Sequence, residues 1–476
     1  MNSSFRLPLA AIDPQIVRAY DFRGRARDQL TVQVVYWLGR AYATQLRGLN
    51  TAPVCIGADG RDSGPELKQA LIAGLREGGA DVIDCGFCTT PVVYFAASQQ
   101  EAMNAVVLTA SHNPADQNGV KLILNGLALL GEEISALAQL AISESLTRGA
   151  GTLREQMHDA AYVHCIAQRF SLKPGPKIVV DCGNGIAGPV TQMLFKRLST
   201  RLSLLFDEVD GQFPNHSPDP CIAENLLDLQ RAVLQQRADI GFALDGDADR
   251  VVAISSSGRM LMPDQLLMLL ARDILTNEPG GLVLMDAKCS ALTRTIVEEA
   301  GGQLQIGRTG HSPMKRLMQA SGAVCGGELS AHYYFADWYG FDDGLFTAVR
   351  LLDLMQRRGQ SLDQLIDSLP KRLSTPEMRL DVDDTEKFDI IDRLQRCNFS
   401  ADEIVSIDGL RVEYPFGWGL IRASNTEAAL VVRFEADNIE QINLIIAEFN
   451  RNLTQIGAKN GPIELFTDLQ GGSHAT

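Results

Sequence analysis

Apolar residues recur along this chain in short continuous runs, separated by longer stretches in which they return every three or four positions. Runs at 105–108, 177–181, 239–244, 282–286 and 323–325 have the length and the β-branched content of strands buried on both faces, as in parallel sheets. Between them, 265–277, 291–300 and 345–357 carry the helical period. Strands and helices therefore alternate as α/β units, with loops at the strand ends where ligands usually bind. The pattern changes over the last hundred residues. Segments 378–382, 403–407, 410–414 and 429–434 read as antiparallel strands. A closing helix sets Ile442, Ile445, Ile446, Phe449 and Leu453 on one face, with Asp437 or Asn438 as its cap and Gly457 after its end. That is an α+β unit. Proline-containing breaks at 173–176 and 369–370 mark candidate boundaries, and no internal repeat is visible.

A length of 476 residues predicts roughly three domains at about 150 residues each. The 43 Lys+Arg against 58 Asp+Glu leave a formal charge of −15. This argues against a protein that covers nucleic acid or an anionic membrane, both of which need a basic footprint. With 45% hydrophobic and 21% charged residues the composition is that of a folded protein. The first residues lack a basic start followed by an apolar core, so no signal peptide is expected. The most apolar stretch, 260–271, is interrupted by Pro263, Asp264 and Gln265 and is too short to span a bilayer. Nine cysteines without framework spacing suit a reducing, cytoplasmic setting. Cys85 and Cys88 have the spacing of a redox pair, but a thioredoxin-type pair should open a helix. Here a strand-like run leads into Thr89-Thr90-Pro91, and the pair reads as a strand-to-loop turn.

Four loops concentrate chemistry. Thr109-Ala110-Ser111-His112-Asn113-Pro114 follows a strand and presents a serine hydroxyl among polar neighbours, suited to a nucleophile or a phosphoryl carrier; a lone Ser-His pair would be no more than a polar turn. Lys121 lies close enough in sequence to neutralise charge there. Asp245-Gly246-Asp247-Ala248-Asp249-Arg250 follows another strand. If that segment is extended, its three carboxylates project to one side and repel unless a cation sits between them. Hard oxygen ligands select Mg²⁺ or Ca²⁺ over zinc. An EF-hand is disfavoured because Ser256 stands where its bidentate Glu would be, and Mg²⁺ is favoured. In Gly327-Glu328-Leu329-Ser330-Ala331-His332, alternate positions offer an acceptor, a hydroxyl and an imidazole, a set suited to sugar hydroxyls. Arg422-Ala423-Ser424-Asn425-Thr426-Glu427 combines a guanidinium, hydroxyls and an amide that can cradle a phosphate.

As an ordered set, these loops resemble the α-D-phosphohexomutase superfamily, in particular its bacterial phosphomannomutase/phosphoglucomutase branch. The family's phosphoserine loop T-A-S-H-N-P matches 109–114, its metal loop D-G-D-x-D-R matches 245–250, its sugar loop G-E-x-S-A-H matches 327–332, and its phosphate loop R-x-S-N-T matches 422–426. Family-like pieces also occur at 20–24, 57–63, Lys288, 309–312 and 340–344. Gln117 stands where tyrosine is common and Phe22 where isoleucine is common. The Ser-Ala-His and Ser-Asn-Thr versions favour hexose over hexosamine substrates.

The resemblance implies a fold of four domains around a central cleft, three related α/β sandwich domains and a C-terminal α+β domain. We expect their bounds at 1–155 (phosphoserine loop), 156–257 (metal loop), 258–371 (sugar loop) and 372–476 (phosphate loop). It implies reversible interconversion of hexose 1-phosphate and hexose 6-phosphate, of mannose or glucose, through a hexose 1,6-bisphosphate. Ser111 would carry the phosphoryl group, and Asp245, Asp247 and Asp249 would hold Mg²⁺ with an oxygen of that phosphate. Lys121 and Arg250 would stabilise charge, and either His332 or Lys121 would accept the sugar proton. Tyr20, Arg23, Lys288, His311, Glu328, Ser330, His332, Arg422, Ser424, Asn425, Thr426 and Arg433 would bind substrate. The expected protein is a cytoplasmic monomer acting on a small phosphosugar, with no nucleic-acid or membrane partner. A serine-dependent phosphatase and a non-catalytic phosphosugar sensor share the same residues.

Overall fold

A computed structural model of the chain describes residues 7, 9–143, 145–173, 175–424, 428–458 and 462–463. Among the described residues, four sheets follow one another along the chain. The first runs in the order Phe22–Arg25, Gln117–Leu124, Ala105–Leu108, Val54–Ala58, Val82–Phe87, Leu153–Glu155, with Leu127–Ala128 beside Gln117–Leu124. The second runs Met260–Leu261, Val251–Ser255, Ile240–Leu244, Lys177–Asp181, Arg201–Leu205. The third runs Gln303–Gly307, Leu282–Asp286, Cys325–Gly327, Tyr333–Phe335.

These three sheets share one plan. A central strand (Val54–Ala58, Lys177–Asp181 or Leu282–Asp286) has a parallel partner on each side, and one of those partners turns back into an antiparallel strand. No repeat of residue identities accompanies it. What recurs is burial and connectivity: the central strands are apolar and buried along almost their whole length, as strands covered by helices on both faces must be. The turn-back connection falls at 109–116, 245–250 and 328–332 in the three units. Three of the four chemically rich loops are thus the same loop of one repeated topology.

The three units share a continuous apolar core, into which Trp418 and Leu420 of the C-terminal unit also pack. Where they meet, Phe95, Tyr162 and Trp338 pack together with centroids 5.8–6.1 Å apart, each such pair adding roughly 0.5–1.5 kcal/mol beyond its area burial. The Tyr162 hydroxyl and Trp338 Nε1 both donate to Asp343, whose carboxylate also caps helix Gly344–Arg358 by accepting from Phe346 N–H at 2.9 Å.

The C-terminal sheet is antiparallel throughout, in the order Leu373–Ser374, Ala429–Ala436, Gly417–Ala423, Leu410–Tyr414, Glu403–Val405, with Met378–Asp381 also pairing with Ala429–Ala436. It has a core of its own, closed by Ile442, Ile445, Phe449 and Leu453 of helix Ile439–Gln455. Asn438 is the cap, accepting from Gln441 N–H at 2.9 Å. Strand Gly417–Ala423 is not evident in the residue pattern. Its Gly419 accommodates close approach of the closing helix, since a Cβ there would come within 2.8 Å of Ile445 and Phe449. No helix among the described residues is long and apolar enough to cross a membrane. Cys85 and Cys88 are free and buried, helix Thr90–Ser98 begins beyond them, and burial pushes the Cys88 thiol well up.

Candidate active site

Ser111 follows strand Ala105–Leu108 with φ of 52°, a left-handed conformation that a non-glycine residue keeps only when its surroundings enforce it. The enforcement is visible. Ser111 N–H donates to Thr109 Oγ1 at 2.8 Å, and the Thr109 hydroxyl donates to Asp59 Oδ2 at 2.7 Å. Arg61, fully buried, pairs with Asp59 at 3.1 Å and donates to the carbonyls of Pro114, Asn113, Ser111 and Gln117 at 2.6–3.0 Å. One guanidinium therefore gathers the backbone of the whole loop. Arg23 adds a bond to Asn113 Oδ1 at 2.7 Å while paired with Asp21 at 2.6 Å. The Ser111 hydroxyl donates to Asp245 Oδ2 at 2.6 Å and lies 3.2 Å from His112 Nδ1.

Asp245, Asp247 and Asp249 are fully buried and each brings an oxygen within 4.8 Å of the others. They do so in a turn, not the extended segment anticipated from their alternation. Ala248 has φ of 60° and its N–H closes onto the Asp245 carbonyl at 3.1 Å. An extended strand would space alternate residues about 6–7 Å apart; the turn folds them inward. Lys121 Nζ lies 2.7 Å from Asp247 Oδ2 and 2.5 Å from Asp249 Oδ2, and Arg250 Nε donates to Asp245 at 3.0 Å. The Thr90 hydroxyl and N–H both donate to Asp247. Burial and the charges of Asp249 and Asp247 push the Asp245 carboxyl up to about 8. Although burial opposes it, Lys121 holds Asp249 well below the ordinary carboxylate range. Asp247 Oδ1 and Asp249 Oδ1 are buried without a hydrogen-bond partner among the described residues. Orphaned oxygens in an all-carboxylate set fit a hard divalent cation.

The sugar loop makes the same turn. Ala331 has φ of 68° and its N–H bonds to the Glu328 carbonyl at 3.0 Å, so Glu328, Ser330 and His332 converge by folding back and not by strand alternation. Glu328 accepts from Gly310 N–H at 2.5 Å and from the Tyr334 hydroxyl at 2.7 Å. His332 Nδ1 is 3.0 Å from Ser330 Oγ, and its Nε2 is 3.4 Å from Asp249 Oδ1. A backbone bridge between Arg250 and His332 and a bond from Val251 N–H to the Ala331 carbonyl tie this loop to the metal loop. Tyr20 stands edge-on to His311 at 5.0 Å, and His311 is 5.9 Å from His332.

The fourth loop contributes from the C-terminal sheet. Arg422 belongs to strand Gly417–Ala423, not to the loop in which the residue pattern put it, because that strand runs up to Ala423. It pairs with Asp408 at 3.0 Å, whose Oδ2 also accepts from Thr309 N–H of the third unit. Ser424 is buried beside it, and Asn425 and Thr426 lie outside the described residues. Lys288 pairs with Glu377 at 2.8 Å. Arg433 donates to the Lys288 carbonyl and lies 3.7 Å from Asp264, so its contacts join the C-terminal unit to the third.

Several residues that shape the site carry no assigned role in the residue pattern: Arg61, Thr90, Asp219 on Arg250 at 3.4 Å, and Lys315 with Asp342 at 2.7 Å. Arg61 and Asp342 lie in the family-like pieces 57–63 and 340–344, and Lys315 has a local signal, four residues after His311 in a helical stretch.

Comparison with known proteins agrees over most of the chain. Family descriptions reading "Phosphoglucomutase/phosphomannomutase, alpha/beta/alpha domain" I, II and III match residues 14–148, 160–258 and 262–373, and the C-terminal domain of that family matches 377–452. The chain is 41% identical over 443 residues to a phosphomannomutase/phosphoglucomutase of Pseudomonas aeruginosa, covering 93% of this chain and 96% of that protein. It is 40% identical over 447 residues to a phosphoglucomutase of Neisseria gonorrhoeae, covering 93% and 97%. The crystal structure of a phosphoglucomutase/phosphomannomutase family protein from Burkholderia thailandensis superposes with a TM-score of 0.90 at 40% identity, covering 95% of this chain and all of the other. With the four loops in register and four domains in order, the chain belongs to the bacterial phosphoglucomutase/phosphomannomutase branch of the α-D-phosphohexomutase superfamily.

Proposed function

We propose that Ser111 is the residue through which this enzyme interconverts the 1-phosphate and 6-phosphate of glucose or mannose. The observation that carries this reading is the Ser111 hydroxyl at 2.6 Å from Asp245, at the edge of a buried three-carboxylate cluster countered by Lys121 and Arg250. In the first half-reaction the bond from phosphorus to Ser111 Oγ breaks and a bond from phosphorus to the free sugar hydroxyl forms. The hydroxyl proton passes to a base, and hexose 1,6-bisphosphate results. The bisphosphate turns within the cleft, and Ser111 takes back the other phosphoryl group.

Each residue has a part consistent with its setting. Asp245, Asp247 and Asp249 would hold Mg²⁺, which when bound would supply charge stabilisation to the transferring group. Lys121, paired with Asp247 at 2.7 Å and with Asp249 at 2.5 Å, acts as a fixed cation beside the transferring group. His332 takes the proton, its Nδ1 3.0 Å from Ser330 Oγ and its Nε2 3.4 Å from Asp249 Oδ1. Glu328 and Ser330 read the sugar hydroxyls; Tyr20, Arg23, Lys288 and His311 line the ligand's path. Arg422 and Ser424, with Asn425 and Thr426, grip the phosphate that is not in transfer, from the C-terminal domain. The enzyme acts as a cytoplasmic monomer on a small phosphosugar. A net charge of −15 is compatible with an anionic ligand because the cations of Arg23, Lys121, Arg250 and Lys288 are drawn into the site.

The test is intact-mass spectrometry for one added phosphate together with a coupled isomerisation assay. Wild-type protein should carry phosphate and isomerise; Ser111→Ala should do neither. Near-wild-type isomerisation by Ser111→Ala would refute the assignment, and inorganic phosphate as the main product would mark a phosphatase.

A further inference from the structure

Lys315 follows His311 by four positions on helix His311–Ser321, which stacks the two side chains on one face. Its Nζ lies 3.0 Å from His311 Nδ1 and 2.7 Å from Asp342 Oδ1, and it faces the Tyr94 ring at 4.7 Å from the centroid. All four side chains are buried. An ammonium carries three hydrogens and no lone pair, so it can approach Nδ1 closely only if that nitrogen bears no proton. Burial and the neighbouring Lys315 charge hold His311 well below its ordinary range, which leaves the ring neutral with its proton on Nε2. That nitrogen has no hydrogen-bond partner among the described residues, although His311 is only 5% exposed. The ring stands between Tyr20 and His332.

We propose that Lys315 is a positioning residue that fixes His311 as the Nε2–H tautomer, so that Nε2–H donates to an oxygen of the bound phosphosugar. Asp342 opposes the ammonium from the other side, and the Tyr94 ring walls the third direction. A donor whose tautomer is set beforehand loses no binding free energy to reorganisation when the ligand arrives. The inference rests on the phosphosugar reading of the cleft.

The experiment is ¹⁵N-edited NMR of the histidine rings in the full-length protein without ligand, joined to kinetics of Lys315→Met, Lys315→Arg and His311→Gln. Wild-type His311 should show an unprotonated Nδ1 and a protonated Nε2. Lys315→Met should lose that single pattern and about ten- to hundredfold in kcat/KM, while Lys315→Arg, which can still donate to Nδ1, should restore the tautomer. His311→Gln places an amide N–H near the position of Nε2, and in that background Lys315→Met should cost less than about twofold. A protonated Nδ1 in the wild type overturns the proposal, as does a folded Lys315→Met with unchanged tautomer and rate. If Lys315→Met fails to fold, the wild-type spectrum and Lys315→Arg decide it. The tautomer is read on the free protein, so absence of hexose-phosphate turnover would sink the functional reading separately.

Discussion

The Ser111 hydroxyl and Asp245 Oδ2 are joined at 2.6 Å, which makes the proposed phosphoryl carrier and the carboxylate cluster one electrostatic unit. Phosphorylation replaces that donor with a charge of about −1.5 to −2 beside three buried acids. Without a divalent cation, phosphorylated protein should therefore melt below the unphosphorylated form, and Mg²⁺ should reverse the order. Linkage then requires Mg²⁺ to bind the phosphorylated form more tightly, by about tenfold or more. Calorimetric titration of the two forms checks this; equal affinities would disconnect Ser111 from the metal.

Asp247 has one oxygen on Lys121 and Thr90 and the other without a partner among the described residues. Asp247→Asn should abolish Mg²⁺-dependent turnover. It should also remove the thermal stabilisation by Mg²⁺, about 2.7 kcal/mol in the wild type at a hundred times Kd. A chelator should silence the wild type reversibly. Retention of the Mg²⁺-induced shift in Asp247→Asn would move the metal elsewhere.

Arg61 is the buried peg of the serine loop, and its loss strands Asp59 as an unpaired buried carboxylate. Arg61→Met should cost about 3–5 kcal/mol, read by denaturant unfolding, and should lower kcat as Ser111 relaxes from its left-handed conformation. Adding Asp59→Asn should recover part of the loss, since the two share one interaction. Strict additivity would show that they act independently.

How much of this is legible without coordinates depends on the range of the interaction. Ser111 and the three aspartates stand out because apolar strands end beside them, and the change to α+β character after about residue 370 is written in local periodicity. The turns that gather Asp245 to Asp249 and Glu328 to His332 are not, because Ala248 and Ala331, the left-handed residues in them, carry no turn preference of their own. The threefold strand plan, which the family resemblance implied, is invisible in residue periodicity for a related reason: it conserves connectivity and burial, which many residues satisfy. Asp342 and the loop carbonyls that Arg61 gathers are brought to their partners only by tertiary folding.

His216 donates from Nε2 toward Asp181 at 3.2 Å and from Nδ1 toward the Ser217 carbonyl at 2.8 Å, a pair of contacts that only the protonated ring completes. Burial opposes the charge, yet these partners raise His216 above its ordinary 6.5. Its contribution to stability is therefore fully present below about pH 6.5 and is lost as pH rises through the higher folded value. The stability gap between wild type and His216→Gln, from unfolding curves over a pH series, should be widest in acid and narrow on going alkaline. A pH-independent gap would deny His216 its charged role.

Arg422 separates binding from chemistry. Its Nε is held by Asp408 at 3.0 Å, which orients a planar fork, and a lysine cannot keep that carboxylate and a phosphate in line at once. If the phosphate it meets is not the one in transfer, the contact has equal strength in ground and transition states, and its loss raises KM while leaving kcat alone. Arg422→Lys should then raise KM for glucose 1-phosphate by about tenfold or more, with kcat changed less than about threefold. The same variant should bind Mg²⁺ as the wild type does, because Arg422 stands outside the carboxylate cluster. A fall in kcat with KM unchanged would instead place Arg422 at the transferring phosphoryl group and require the C-terminal domain to take part in the chemical step.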